Sequence, residues 1–261
     1  MSENDKHPIM KQSYFIEVCA NSVESALNAQ SAGTDRVELC AGIPEGGTTP
    51  SYGQIILARE LLTSTRLHVI IRPRGGDFLY SDIEVKTMLK DIRMAKELGV
   101  DGVVVGCLTP DGDVDLKLMD KLLHEADGLS VTFHRAFDMC RDPHQALQDL
   151  IALGCNRILT SGQQPTAFEG IPLIKQLAEE ADGRIILMPG CGITPSNIQT
   201  IARETGTHEF HLSGRTNIES RMKFRNPNVS MGGTVHIDEY LQQMTDQSII
   251  QDAIRNLQNL N

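Results

Sequence analysis

The chain has 261 residues, of which 40% are hydrophobic and 22% are charged, a composition that can bury a full core and is not that of a disordered protein. Its formal net charge of −10, with no run of Lys and Arg, argues against nucleic acid or a membrane surface as a partner. No apolar run approaches the ~20 residues that span a bilayer. Residues 1–12 are polar and are expected to be flexible, and six cysteines without zinc spacing predict reduced thiols in a cytoplasmic protein.

One local signal recurs four times along the chain. A helix-like stretch ends in glycine, and a turn residue then leads into an apolar, β-branched run, after Gly33, Gly99, Gly154 and Gly206. A glycine that follows a helix takes the left-handed conformation, and such a run suits a buried parallel strand. The glycines lie 66, 55 and 52 residues apart (33 to 99, 99 to 154, 154 to 206), so each interval holds two β/α units.

The elements in chain order alternate strictly between strand and helix. Strands are predicted at 14–19, 34–39, 67–72, 100–105, 130–134, 155–160, 184–189 and 207–212, and helices at 22–32, 52–63, 81–98, 115–126, 143–153, 167–181, 195–204 and 246–260. Eight repeats predict one α/β domain over residues 1–261, a (β/α)8 TIM barrel. An open doubly wound sheet would usually carry a glycine-rich turn after its first strand. That turn contains no glycine, and Ser22 is predicted to cap the first helix.

The segment 213–245 interrupts the alternation. It is long and carries Arg215, Arg221, Lys223 and Arg225. Loops of this length in a compact domain are usually functional or ordered by a partner. We expect this segment to cover the barrel mouth, meaning the C-terminal ends of the strands, or to form an oligomer contact.

Polar residues end most of the predicted strands, and ligand sites in barrels lie at these ends. Residues two apart on a strand share a face, so Glu17 points with Cys19 and Glu38 with Cys40 toward the interior. Arg72 and Arg74 also share a face, and we expect Glu17 and Glu38, or an anionic ligand, to offset their burial. The other candidates for ligand binding or catalysis at these ends are His134, Arg135, Asp138, Ser161, Gly190, His211 and Ser213, together with Lys223 of the long segment.

The glycine-containing loop at 188–194, beside Ser213, is similar to the phosphate cup that many barrels build after strands seven and eight. Two alternatives remain open at this point. The Glu and Arg side chains could form a closed layer that plugs the barrel, and the two cysteines could be buried as small hydrophobes. His68 and the other histidines outside the strand ends, including His7 and His236, are interpreted as bystanders.

Seven motifs identify a resemblance to the CutC copper homeostasis family. They are EVC at 17–19, RVELC at 36–40, EGGTTPS at 45–51, IRPRGGDFLYS at 71–81, TFHRAFD at 132–138, LTSG at 159–162 and MKFRN at 222–226. The resemblance spans nearly the whole chain. It implies a cytoplasmic barrel that is commonly a homo-oligomer, either a dimer or a tetramer. It also implies a link to copper tolerance and Cu(I) binding at Cys19 and Cys40, and no organic cofactor is expected.

Two functions follow from these residues. In the first, Cys19 and Cys40 hold Cu(I), since thiolates are soft ligands and neighbouring strands bring two sulfurs together. The same closeness would allow a disulfide under oxidation. In the second, the protein is an enzyme acting on a small phosphorylated or carboxylated metabolite. Its predicted residues are Arg72, Arg74 and Lys223 for binding, His134 as acid or base, and Glu17 or Asp138 assisting. Considered without the resemblance, the residues favour the enzyme, because the cluster contains more polar side chains than the binding of one soft ion requires.

Overall fold

Eight parallel strands alternate with eight α-helices in the computed structural model, which describes residues 14–232 and 237–260. The strands are β1 (Phe15–Ala20), β2 (Arg36–Leu39), β3 (Arg66–Ile70), β4 (Gly102–Val105), β5 (Ser130–Phe133), β6 (Arg157–Thr160), β7 (Ile186–Pro189) and β8 (Glu209–Leu212). The helices are α1 (Val23–Ala32), α2 (Tyr52–Leu61), α3 (Asp82–Glu97), α4 (Leu116–Glu125), α5 (Pro143–Leu153), α6 (Ile171–Ala181), α7 (Ile198–Thr205) and α8 (Gln247–Gln258). The predictions made for residues 1–12 and for His236 lie outside the described residues.

The strands form a ring. Each pairs with its sequence neighbour from β1 to β7, and β8 returns to pair with β1. A parallel bridge between Gly190 and His211 joins the ends of β7 and β8. The barrel prediction is therefore confirmed, and the open doubly wound sheet is excluded.

The helix termini follow the local sequence signals. Ser22 caps α1 by accepting a hydrogen bond from the Ser25 N–H. Gly33, Gly154 and Gly206 each end a helix with φ between 70° and 89°, the left-handed conformation that favours glycine. The seventh helix was predicted to begin at residue 195 but begins at Ile198, because residues 194–197 form a turn in which the Asn197 side chain accepts from the Thr194 N–H.

The apolar core lies between the strands and the surrounding helices. Val18, Val37 and Val69 are fully buried there, on the outward faces of their strands. The residues that alternate with them, including Glu17, Glu38 and His68, are also buried, on the inward faces. The barrel interior is therefore filled largely by polar side chains, which sets the chemistry of the mouth above them.

The segment 213–245 contains a hairpin rather than an irregular loop. Strands β9 (Arg215–Glu219) and β10 (Leu241–Thr245) pair antiparallel. The base of this hairpin is fastened to α1, since the Asn28 side chain donates to the Thr245 carbonyl and the Thr245 N–H donates to the Ser25 hydroxyl. In the described residues, no helix is long and apolar enough to cross a membrane.

Candidate functional site

A network of charged side chains fills the barrel interior below the mouth. Arg36 lies between Glu17 and Glu209, and its Nη2 is 2.6 Å from Glu209 Oε2. The Arg157 Nε donates to the same Glu209 oxygen at 2.9 Å. Burial would raise the pKa of Glu17, but Arg36 and His211 outweigh it and hold that pKa well below its usual range. The two carboxylates and two guanidinium groups thus compensate one another within the barrel.

Glu17 and Glu38, the internal partners that we expected for Arg72 and Arg74, pair with neither arginine in the described residues, and the alternative of an anionic ligand stays a prediction. Glu17 lies opposite Arg36 in the β1–β2 register, so the neighbouring strand supplies its cation. Arg74 points toward the surface, where it pairs with Asp77 and Glu84. Sequence reasoning missed Arg36, Arg157 and Glu209. Strict alternation of polar residues in short buried strands, such as Arg36 with Glu38 and Glu209 with His211, is the signal that could have found most of them.

Cys19 and Cys40 form a thiol pair at the mouth, with their sulfurs 3.5 Å apart. Cys40 follows β2 directly and is buried, whereas Cys19 is half-buried. The hydrogen bond from Cys40 is the main cause that holds the pKa of the Cys19 thiol well below its usual value, and His211 adds to it against the effect of burial. The same contact, together with burial, raises the pKa of Cys40. The two pKa shifts have opposite directions, so Cys19 loses its proton more readily than Cys40 does.

His211 connects the thiol pair to the charged network. Its Nδ1 lies 2.7 Å from Glu17 Oε1, and its Nε2 lies 3.6 Å from Glu38 Oε2. Burial opposes protonation, but Cys19 and the two glutamates raise the pKa of His211 well above its usual value. Burial raises the pKa of Glu38 to about 8, with a contribution from the Cys19 charge and against the effect of His211. These shifts favour the protonated forms of His211 and Glu38 and the ionised form of Cys19.

Two groups of side chains in the described residues could hold a metal ion by donor distance. The donor atoms of Cys19, Glu38 and Cys40 lie within 4.8 Å of one another, as do those of Glu17, Glu38 and His211. The second group is already engaged in ion pairs with Arg36 and within itself. The first group presents two sulfurs and suits a soft ion.

A mouth cavity of about 660 Å³ opens beside the thiol pair. The loops that follow β2, β3, β4 and β5 form its walls. Eight of the predicted site residues line it: Cys19, Glu38, Cys40, Arg72, His134, Arg135, Asp138 and His211. Its apolar lining includes Ile70, Phe78, Leu79, Leu108, Met139 and Leu159. Three of these, Phe78, Leu79 and Leu159, fall in the quoted motifs, but none was predicted to be a site residue. The strand-end pattern therefore located the cavity through its polar residues and missed its apolar walls.

Asp138 organises the loop that follows β5. Its two oxygens accept hydrogen bonds from the Thr160 hydroxyl and from both the N–H and the hydroxyl of Ser161, and the Arg135 guanidinium pairs with it at 2.8 Å. Ser161 is fully buried and does not line the cavity. Asp138 and Ser161 therefore join the loops that follow β5 and β6.

Other predicted site residues lie apart from the mouth cavity. Glu17 lies beneath it, in the charged network, and Arg74 lies on the surface. The positions of Gly190, Ser213 and Lys223 likewise fall outside its lining. A Cβ atom at Gly190 would lie 2.4 Å from Leu159 Cδ1 and 3.2 Å from His211 Cβ, so this glycine allows β7 to approach its neighbours. The phosphate cup stays a prediction.

His68 is closer to the site than its interpretation as a bystander implied. It is buried, and its Nδ1 lies 4.0 Å from Glu17 Oε2. Burial lowers the pKa of His68 to about 3, against the attraction of Glu17. This histidine is therefore a neutral part of the interior packing.

Comparison with known proteins points to one family. The model of the CutC family matches residues 14–216 of the chain. A CutC family protein of Bacteroides thetaiotaomicron is 68% identical over 232 residues, which cover 89% of this chain and 93% of the relative. The human copper homeostasis protein cutC homolog is 52% identical over 233 residues, covering 89% of this chain and 85% of that protein. A CutC crystal structure from Streptococcus agalactiae superposes with a TM-score of 0.74 at 39% identity, over 77% of this chain and 98% of that one.

Proposed function

Because the chain belongs to the CutC family, we propose that it acts in copper homeostasis by holding one Cu(I) ion between Cys19 and Cys40 at the barrel mouth. The observation that carries this proposal is the 3.5 Å separation of the two sulfurs. Two sulfurs at this distance are close enough to share one ion, and thiolates are the ligands that Cu(I) prefers. A reducing compartment, which we take to be the cytoplasm, would keep both thiols available.

The electrostatics of the thiol pair support binding of a monovalent ion. The depressed pKa of Cys19 supplies one thiolate before the ion arrives. The raised pKa of Cys40 means that its proton must leave when the second sulfur becomes a ligand. His211, held as an imidazolium by Glu17, lies beside this thiolate and offsets its charge. Binding of Cu(I) is therefore expected to release about one proton and to tighten as pH rises.

The other four thiols are less suited to hold a soft ion. Cys107 is fully buried, and burial raises its pKa. Burial also raises the pKa values of Cys140 and Cys155 to about 12. Cys191 is half-buried, donates to the Pro165 carbonyl and does not line the mouth cavity. A soft ion would therefore select the thiol pair.

Anaerobic titration of Cu(I) against a competing chelator tests the proposal. We expect one ion per chain in the wild type and a loss of at least about a hundredfold in affinity in Cys19→Ser/Cys40→Ser, since both soft ligands are removed. Cys191→Ser is the matched control and should bind as the wild type does. Unchanged affinity in the double variant would exclude this site.

The enzyme hypothesis remains a second candidate because the mouth cavity has a ligand-sized volume. The contacts of two of its predicted catalytic residues do not favour catalysis, because other groups of the protein already engage them. Glu17 is held by Arg36 and His211, and Asp138 is held by the β5 and β6 loops. The Nε2 of His134 has no partner in the part of the chain that the structure describes, which favours a role in binding a ligand.

A further inference from the structure

Arg72 is buried without an anionic partner in the described residues. Only 5% of its surface is exposed. Its Nη1 donates to the carbonyls of Glu45 and Gly47, at 2.9 and 3.0 Å, and its Nη2 donates to the carbonyl of Gly76 at 2.8 Å. Its Nε has no partner. A buried guanidinium normally requires a carboxylate, as the interior pairs of Arg36 and Arg157 illustrate.

His134 presents a second unmatched donor beside Arg72. The ring is 4% exposed, and its Nδ1 accepts a hydrogen bond from the Ala136 N–H, so a neutral ring carries its proton on Nε2. Burial and the neighbouring Arg72 charge lower the pKa of His134 to about 3, which keeps the ring neutral. Its Nε2 has no partner in the described residues. The proton on Nε2 is thus a donor without an acceptor.

Phe78 holds these two donors together. The Arg72 guanidinium carbon lies 4.9 Å from the centre of the Phe78 ring, and the His134 ring centre lies 5.0 Å from it. All three side chains line the mouth cavity. Solvent does not reach the Arg72 Nε or the His134 Nε2, so a ligand that accepts from both must displace Phe78, the half-buried ring that packs against them.

The number of free donors indicates the chemistry of the ligand. Three of the five N–H groups of Arg72 are used by carbonyls, which leaves the Nε–H and one Nη2–H of the same planar group without a carbonyl partner in the described residues. Two neighbouring donors of this kind match the two oxygens of a carboxylate. The Glu45 carboxylate also lines the cavity and would repel a ligand with several negative charges, whereas Asp77 and Asp138 are paired with Arg74 and Arg135.

We propose that the mouth cavity binds a small monocarboxylate, whose carboxylate accepts hydrogen bonds from Arg72 and His134. Its apolar body lies along the wall formed by Leu108, Met139 and Leu159. The volume of about 660 Å³ is in the range of small-molecule sites. This inference goes beyond copper binding and does not depend on it, because neither donor is a copper ligand.

Calorimetric titration with three probes tests the inference: phenylacetate, its uncharged analogue phenylacetamide, and inorganic phosphate. We expect phenylacetate to bind with a Kd of about 1 mM or tighter, and the other two probes to bind at least about tenfold more weakly, since only the carboxylate fills both donors. Affinity for phenylacetate should fall at least about tenfold in Arg72→Gln and in His134→Phe. Arg74→Gln removes an arginine outside the cavity and should leave it unchanged.

Three outcomes would overturn the inference: no binding of phenylacetate, equal binding of the amide, or tighter binding of phosphate. The comparison among probes uses the wild type, so it remains decisive if a variant fails to fold. The phenylacetate titration and the Cu(I) titration are separate measurements on the wild type, and neither ligand is present in the other experiment. The two proposals therefore fail separately.

Discussion

Cys19 differs from the other thiols in its ionisation. Its pKa is lowered by the hydrogen bond from Cys40 and by His211. The Cys19 thiolate should therefore persist below the ordinary thiol pKa of about 8.5, and alkylation of Cys19 by iodoacetamide should remain fast at pH 7. In His211→Gln, which removes the positive charge, the pKa should rise, and the rate at pH 7 should fall about tenfold for each unit by which the pKa exceeds 7.

Peptide mass spectrometry of the timed alkylation measures these rates separately at each cysteine. Cys191, half-buried and with its sulfur donating to the Pro165 carbonyl, serves as the internal reference and should react equally in both proteins. If Cys19 and Cys191 have the same pH profile in the wild type, the described influence of His211 on Cys19 is wrong.

Arg36 is the residue on which the stability of the interior network depends most. Arg36→Met would leave Glu17 and Glu209 with less compensation in a buried environment, and we expect a loss of about 3–5 kcal/mol in the free energy of unfolding at pH 7. The matched control is Arg93→Met, which breaks an ion pair between the exposed Arg93 and Glu125 and should cost less than about 1 kcal/mol.

The pH dependence of that loss follows from the lowered pKa of Glu17. A folded-state pKa below the unfolded one gives stability that is present above the unfolded pKa of about 4.3 and is lost as pH falls toward the folded value. Urea unfolding at pH 7 and pH 4 should therefore show a smaller difference between the wild type and Arg36→Met at the lower pH. An equal difference at both pH values would contradict the assignment.

At the scale of elements, replacing glycine by alanine should have opposite effects on stability at Gly170 and at Gly53. Gly170 precedes α6, and a Cβ atom there would lie 1.9 Å from the Ser161 carbonyl oxygen. Gly170→Ala must therefore separate the β6 and α6 ends, which we expect to cost at least about 1–3 kcal/mol. Gly53 lies within α2 with no atom within 4 Å of its Cβ position, so Gly53→Ala should stabilise by about 0.5–1 kcal/mol. Thermal unfolding of both variants tests whether Gly170→Ala lowers the stability and Gly53→Ala raises it.

The same elements explain how far the sequence could predict this protein. Period-two alternation, glycine caps and capping serines are local signals, and they correctly predicted the eight strands, the eight helices and the inward side of Cys19 and Cys40. Which partner an inward side chain meets depends on strand register. Glu17 faces Arg36 because β1 and β2 pair in one particular register, and no local pattern fixes that register.

The hairpin in segment 213–245 could not be predicted from local patterns either. Its strands β9 and β10 are separated by 21 residues (220–240), far beyond the short turns by which hairpins are recognised in a sequence. The described residues of this segment do not line the mouth cavity, but the charge of Arg215 contributes to lowering the pKa of Cys19, so the predicted contact with the mouth stays a prediction. The alternative prediction of an oligomer contact remains open.

At the scale of the whole molecule, the exposed surface of this segment supports that alternative. Four apolar side chains between β9 and β10 are largely exposed: Met222, Phe224, Val229 and Met231, with Phe224 at 74%. The backbone around them is held in place, because the Asn226 N–H donates to the Tyr240 hydroxyl and Arg225 stacks on the Tyr240 ring. Apolar side chains clustered on an ordered segment are typical of protein–protein interfaces.

We therefore predict that a second copy of the chain covers this surface and that Phe224→Asp lowers the mass of the assembly in solution. A buried interface cannot accommodate an unpaired carboxylate, so the variant should shift toward the monomer by at least about tenfold in dissociation constant. Light scattering over a range of protein concentrations measures the shift. Ile83→Asp, at an equally exposed apolar residue on α3, should leave the mass unchanged. A wild type that is monomeric at every concentration would refute the prediction, and an effect of Ile83→Asp equal to that of Phe224→Asp would place the interface elsewhere.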